Sequence, residues 1–142
     1  SFLIHSRFEQ FMETHCWLCR SELLNGTCMS CGYKQSELKI IEIEPTEVKQ
    51  KLDNKEDFLF LDVRTPEETQ IAKINGTKNI PLNEIPQKFN ELPKKEIITH
   101  CHHGVRSLHA ANFLEQKGFS VKSMRGGIDK WSLEVDSSVG RY

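Results

Sequence analysis

No stretch of this 142-residue sequence approaches the roughly 20 consecutive apolar residues that a helix needs to cross a bilayer. Nor does one sign of charge prevail. Lys and Arg number 19 and Asp and Glu 20, a formal net charge of −1, which removes the electrostatic case for a nucleic-acid or anionic-membrane partner. Internal repeats and low-complexity stretches are missing too. The opening Ser1-Phe2-Leu3-Ile4 is too short, with too little charge before it, for a secretory signal, so a cytoplasmic location is expected. A hydrophobic share of 37% and a charged share of 27% fit a soluble globular chain. The length allows one ordinary domain and a small appendage.

Cysteine is the residue present in an informative pattern. Of the five, four fall as Cys16-x-x-Cys19 and Cys28-x-x-Cys31, and Cys101 stands apart. Two such pairs can wrap one ion tetrahedrally, each forming a knuckle, and Gly32 directly after the last of them suits the left-handed turn a knuckle needs. Four thiolates suit zinc or iron. Zinc is the expected structural ion, with a rubredoxin-like iron site as the alternative, although the interval between pairs is short for that. Two disulfides would require an oxidising compartment, and a redox Cys-x-x-Cys would normally open a helix. His15, beside Cys16, is expected to be a bystander. So short a segment cannot bury enough apolar surface alone, so the ion should supply folding energy. Ahead of it Ser6-Arg7-Phe8-Glu9 has capping-box spacing, and Phe8, Phe11 and Met12 share one helical face that docks on the rest of the protein or on a partner.

The stretch Ile97-Ile98-Thr99-His100-Cys101-His102-His103-Gly104-Val105-Arg106-Ser107 carries the chemistry. A β-branched run delivers a cysteine into a tight loop, and a helical pattern follows at once. A sulfur placed there lies among backbone N–H groups at the positive end of a helix, which favours the reactive thiolate. Gly104 lets the backbone turn close to the sulfur. Arg106 offers a fork of donors to a sulfonate-like or phosphate-like oxyanion. The alternative for an isolated cysteine after a strand is a buried, inert small hydrophobe.

The loop Cys-x-x-Gly-x-Arg, Cys101 to Arg106, resembles that of the rhodanese-like sulfurtransferases, and the resemblance runs from about Ile40 to Tyr142. It takes in Leu61-Asp62-Val63-Arg64 with Pro66-Glu67-Glu68, then Ile74-Asn75-Gly76-Thr77-Lys78-Asn79-Ile80-Pro81-Leu82, then Met124-Arg125-Gly126-Gly127-Ile128-Asp129-Lys130-Trp131. Lys73 and Thr77 depart from the His and Ala that many relatives carry. Only four residues separate Cys101 from Arg106, whereas related dual-specificity phosphatases have five, so sulfur fits better than a phosphoryl group.

The resemblance implies a three-layer α/β fold with a mainly parallel five-stranded sheet and helices on both faces over residues 38–142; the cysteine and capping-box spacing puts a helix and a four-cysteine zinc ribbon over 1–37 ahead of it. The residues themselves read as alternating strands and helices. Strands are expected over 38–43, 58–63, 78–80, 96–101 and 121–124, and helices over 45–52, 105–117 and 128–133. Thr65 and Pro66 open another helix, and a helical period over 82–92 breaks near Pro86. In the 105–117 helix, Leu108, Ala111 and Leu114 should face inward.

By resemblance the chemistry is a double displacement. The Cys101 thiolate takes the outer sulfur of a donor such as thiosulfate, and a thiol or other nucleophile removes it from the resulting persulfide. Amides from His102 through Gly104, Val105 and Arg106 cradle that sulfur, Arg106 closes the loop, and Ser107 belongs to it as well. Arg106 steadies the donor's oxyanion. Of His102 and His103, at least one is expected to be a plain solvent-facing residue. Asp62 and Arg64 support the site, most simply as a buried ion pair tying loops together. Arg125 either extends the positive rim or is a surface charge. A second reading is a persulfide carrier that receives sulfur from one protein and delivers it to an acceptor docked on the ribbon.

Overall fold

The computed structural model describes residues 6–142; the opening Ser1-Phe2-Leu3-Ile4 lies outside the described residues. Helix α1 spans Arg7–Thr14. Its start is fixed as the spacing predicts, since the Ser6 hydroxyl accepts from the Glu9 N–H at 3.1 Å and the Glu9 carboxylate accepts from the Ser6 N–H at 3.1 Å. The two knuckles follow around a two-stranded antiparallel ribbon, β1 (Leu23–Leu24) and β2 (Thr27–Cys28).

The main body carries a five-stranded sheet built from β3 (Ile41–Ile43), β4 (Leu59–Asp62), β5 (Lys78–Asn79), β6 (Ile97–His100) and β7 (Val121–Met124). Their order is β3-β7-β6-β4-β5 and every pairing is parallel. Helix α2 (Pro45–Asp53) follows β3, and α3 (Pro66–Ile71) follows β4, with Thr65 capping it and Pro66 in its first turn. A short α4 (Ile85–Lys88) lies between two 3-10 turns, so the 82–92 pattern resolves into pieces around Pro86. Helices α5 (Val105–Gln116) and α6 (Gly127–Glu134) complete the chain.

Successive strand residues point to opposite faces, and the two cores divide accordingly. Leu61 of β4 and Ile97 of β6 join the cluster that holds Ala110, Ala111, Phe113 and Leu114 of α5. Phe60 and Ile98 join Val48 of α2 with Ile128 and Trp131 of α6 on the other face. Both faces are thus covered, which is why the strands read as nearly continuous apolar runs.

One expectation changes. Leu108 is only half-buried, whereas α5 is buried all round from His109 to Leu114. The reason is the ribbon, which packs over the outer face of α5. Cys16, Leu18, Cys28 and Tyr33 belong to the same apolar cluster as Leu61 and Phe113. The Tyr33 hydroxyl bonds His109 Nδ1 at 2.8 Å and accepts from Asn112 at 3.0 Å, so two polar helix residues are buried and satisfied at once. Helix α1 contributes less than its apolar face suggests: Met12 is buried, while Phe8 and Phe11 stay largely exposed.

Candidate active site and metal centre

β6 runs into the sheet's carboxyl edge and hands over to α5 through His100-Cys101-His102-His103-Gly104. In a parallel sheet this edge is where sites form. Cys101 is 1% exposed. Its sulfur accepts the Gly104 N–H at 3.1 Å and the Ser107 N–H at 3.3 Å. The Ser107 hydroxyl lies 3.4 Å from the same sulfur and 2.8 Å from the Ser123 hydroxyl. Thr99 donates to the Ser107 carbonyl at 2.8 Å and steadies that turn from below. The amides of His102, His103, Val105 and Arg106 have no backbone acceptor among the described residues. Negative charge on the sulfur, or on a second sulfur attached to it, is met by these donors and the N-terminal end of α5.

Two glycines permit this geometry. Gly104 takes φ 108°, and a Cβ there would come 3.1 Å from the Gly126 amide nitrogen. Gly127 takes φ 62°, and a Cβ on it would overlap the carbonyls of Cys101 and His102. The first turn of α6 therefore presses directly on the back of the loop, and Ile128 donates its N–H to the Cys101 carbonyl at 2.8 Å.

Around the loop, the charged residues pair among themselves. The Arg106 fork is taken by Glu68, with Nη1 and Nη2 donating at 2.6 and 2.9 Å, so its donors point to α3 and not to open solvent. Glu68 also accepts the Tyr142 hydroxyl at 2.7 Å. The Arg106 contact first, and these others, hold its carboxyl well below the usual range despite partial burial. Asp62 and Arg64 are both fully buried. Arg64 donates to Asp62 at 3.0 and 2.7 Å, to the Ala72 carbonyl at 2.8 Å and to Tyr142 Oη at 2.9 Å. This ties the end of β4 to the end of α3 and to the tail. Arg125 pairs with Glu44 at 2.9 Å at the far end of the sheet edge.

The two loop histidines separate. His102 is half-buried, its ring stacked between His103 at 3.8 Å and Tyr142 at 3.9 Å. Burial, then the neighbouring His103, lowers its pKa. His103 is exposed, 3.9 Å from Asp129. His100, entirely buried against Phe60, is pushed down to about 4 by burial and so stays neutral. Glu68, Ser123, Tyr142 and His100 were not among the residues the sequence singled out as site residues. Glu68 left a signal, since Thr65-Pro66-Glu67-Glu68 has capping-box spacing, but nothing in the spacing links it to Arg106.

Cys101 lines a pocket of about 410 Å³ with His102, His103, Val105 and Arg106, and the opposite wall comes from Phe8, Trp17 and Arg20.

At the other centre the sulfurs of Cys16, Cys19, Cys28 and Cys31 lie within 4.8 Å of one another. Cys16 and Cys19 are each 3.8 Å from Cys31, and Cys19 is 3.2 Å from Cys28. Four thiolates at about 2.3 Å from a tetrahedral ion stand about 3.8 Å apart, so the cluster fits a metal ion. Knuckle amides support the sulfurs, with Leu18 donating to Cys16 at 3.3 Å and Ser30 to Cys28 at 3.3 Å. Burial raises the Cys16 thiol to about 11, a sulfur that holds its charge readily only beside a cation. His15 turns away, its Nδ1 on the Phe11 carbonyl at 3.0 Å.

The rhodanese-like domain family matches residues 44–134. A "Sulfurtransferase" of Allochromatium vinosum is 36% identical over 64% of this chain and 87% of its own length. The "Putative sulfur carrier protein YrkF" of Bacillus subtilis is 40% identical over 81% of this chain and 64% of that longer protein. The crystal structure of a rhodanese-like domain protein from Staphylococcus aureus superposes with TM-score 0.64 at 31% identity, over 72% of this chain and 99% of that one. No helix among the described residues is long and apolar enough to cross a membrane. The parallel sheet, the cysteine loop at its carboxyl edge and these matches agree that the chain belongs to the rhodanese-like domain family, whose relatives here are named for transferring or carrying sulfur.

Proposed function

We propose that this protein is a cytoplasmic sulfurtransferase that moves a sulfane sulfur from a small donor such as thiosulfate to a thiol acceptor through a persulfide on Cys101. The observation that carries the reading is the Cys101 sulfur itself, held by the Gly104 and Ser107 amides at 3.1 and 3.3 Å in a loop that lines the pocket. Attack by Cys101 forms a bond to the donor's outer sulfur. The donor's S–S bond breaks, and sulfite leaves with the electron pair. The persulfide's terminal sulfur then lies among the amides of His102, His103, Gly104, Val105 and Arg106. Acceptor attack on that sulfur restores the thiolate. Arg106 holds α3 to α5 through Glu68 and keeps a permanent positive charge beside the loop. Asp62 and Arg64 set the shape of the floor. Ser107 donates its N–H to the sulfur and keeps its hydroxyl 3.4 Å away.

On this reading the chain divides into an N-terminal helix and metal-held ribbon over 1–37 and the sulfur-transfer domain over 38–142. Zinc is the ion the Cys16, Cys19, Cys28 and Cys31 set suits best, and its part is folding energy and a fixed knuckle geometry. The similarity to a protein named as a sulfur carrier favours a second reading, in which sulfur arrives from a partner's persulfide and leaves to a docked acceptor. Intact-mass measurement after brief exposure to thiosulfate tests the first: the wild type should gain about 32 Da, one sulfur, and Cys101→Ser should not. An adduct retained in Cys101→Ser would overturn the assignment. An unloaded wild type that takes sulfur from a persulfidated protein would instead support the carrier reading.

A further inference from the structure

Nothing in the rhodanese-like part of the chain accounts for the outer wall of the Cys101 pocket. That wall belongs to the ribbon, and its chemistry is specific.

The first knuckle turns sharply after Cys19, placing Arg20 at φ 67° with its N–H donating to the Cys16 carbonyl at 2.9 Å. Trp17, inside the same turn, is fixed on both sides. Its ring lies flat on His109 of α5, centroids 4.8 Å apart at 13°, and its backbone N–H donates to Gln35 at 2.8 Å. Phe8 of α1 meets the Trp17 ring edge-on at 5.5 Å. The Arg20 guanidinium lies 5.0 Å above the Phe8 ring and reaches Met12 Sδ at 3.3 Å.

The charges decide what this wall is for. Arg64 is committed to Asp62, Arg106 to Glu68 and Arg125 to Glu44. Arg20 lines the Cys101 pocket and also the adjoining cavity of about 310 Å³ that reaches Thr65 and Arg106. It has no carboxylate partner among the described residues. An unpaired guanidinium lining the same pocket as Cys101, together with Trp17, Phe8 and Val105, suits a ligand with an oxyanion at one end and an apolar group beside it.

The structure assigns to the metal knuckle the donor subsite of the sulfur-transfer reaction: Arg20 binds the sulfonyl oxygens of a thiosulfonate, and Trp17 and Phe8 pack on its organic group. This rests on the sulfur-transfer reading above. The step balances as it does for thiosulfate. The Cys101 thiolate bonds to the outer sulfur of R–SO2–S⁻, the S–S bond breaks, and the electron pair leaves with the sulfinate R–SO2⁻. Cys101 is left as a persulfide anion. Arg20 stays on the departing anion throughout, so it is a binding and specificity residue, and Trp17 is a positioning residue.

The test measures modification of Cys101 by intact mass in the full, metal-loaded chain, as a function of donor concentration. Benzenethiosulfonate, which leaves a persulfide, is compared with a neutral dialkyl trisulfide, whose outer sulfur Cys101 attacks to leave a mixed disulfide and release the alkyl hydropersulfide anion, in the wild type, Arg20→Gln and Arg20→Lys. Arg20→Gln should raise the half-saturating benzenethiosulfonate concentration about two- to fivefold, the order expected for a lost charge contact near the surface. The maximal loading rate and the response to the neutral donor should hold. Arg20→Lys should recover part of the loss. Trp17→Ala should erase the preference for benzenethiosulfonate over thiosulfate. If Arg20→Gln loads from the anionic donor as the wild type does, or weakens both donors equally, the subsite assignment is overturned while sulfur transfer stands. A wild type that loads from none of the three donors would sink the small-donor reading itself.

Discussion

Replacing Tyr33 by Phe removes one oxygen from a fully buried side chain and changes little else in shape. That oxygen bonds His109 Nδ1 at 2.8 Å and accepts from the Asn112 amide at 3.0 Å. Both partners sit on the covered face of α5, away from solvent. Phe therefore leaves two buried polar groups short of a partner, each worth about 1–3 kcal/mol. Asn112 keeps one contact, its side-chain oxygen accepting from the Lys39 N–H at 3.4 Å, so the lower half of the combined range applies. The expected loss is about 2–4 kcal/mol, read as a lowered urea midpoint at unchanged slope or as about 4 °C in Tm for each kcal/mol. Since apolar replacement of both partners costs less than orphaning one, Tyr33→Phe with His109→Leu should regain part of the loss. A single-variant loss below about 0.5 kcal/mol, or a double variant that is simply additive, would refute the view that this hydroxyl locks the ribbon to the helix.

Acid should destabilise the protein through two buried histidines. Burial holds His100 and His109 at about 4, below the ordinary value of 6.5. Because the folded values are depressed, the stability they carry is complete above about pH 6.5 and falls as pH drops toward 4. The loss between pH 7.5 and 5 is about 2 kcal/mol per histidine, so urea midpoints that stay level over that interval would contradict it. Asp62→Asn leaves the buried Arg64 without its counter-charge and should cost about 3–5 kcal/mol in thermal unfolding; a cost under about 1 kcal/mol would show that Tyr142 and the Ala72 carbonyl suffice. On the proposed metal-held ribbon, a chelator should free four thiols to titration and shift Trp17 emission to the red as the knuckle lifts from His109. Unchanged emission with all four thiols reactive would show that the ribbon holds its place without metal.

What could be read from the sequence was local or periodic. Cys101, Gly104, Arg106 and Ser107 lie within seven consecutive positions, and a strand–loop–helix handover brings their donors to one sulfur whatever surrounds it. The capping boxes at Ser6 and Thr65 and the two knuckles are likewise short-range. The unread part joins distant segments. Glu68 meets Arg106 across 38 positions and Tyr142 across 74, and Tyr33 reaches His109 across 76. A helix period marks which residues of α5 could face inward, but not that a ribbon far upstream would cover its other side. His109 and Asn112 therefore look like solvent-facing residues until Tyr33 is placed against them. Arg106 reads as an open cation for the same reason, because its carboxylate lies in another element.

The sheet ends in strands of three residues, β3, and two residues, β5. A strand border exposes unpaired amides and carbonyls that can template growth with a neighbouring molecule. Here the borders are too short to align more than a few such groups, and Lys78 adds a charge at one of them. The four-residue buried strands β4 and β6 are confined to the interior of the sheet. The protein should therefore tolerate high concentration in its folded form, and turbidity on heating should follow unfolding of the centre and not precede it.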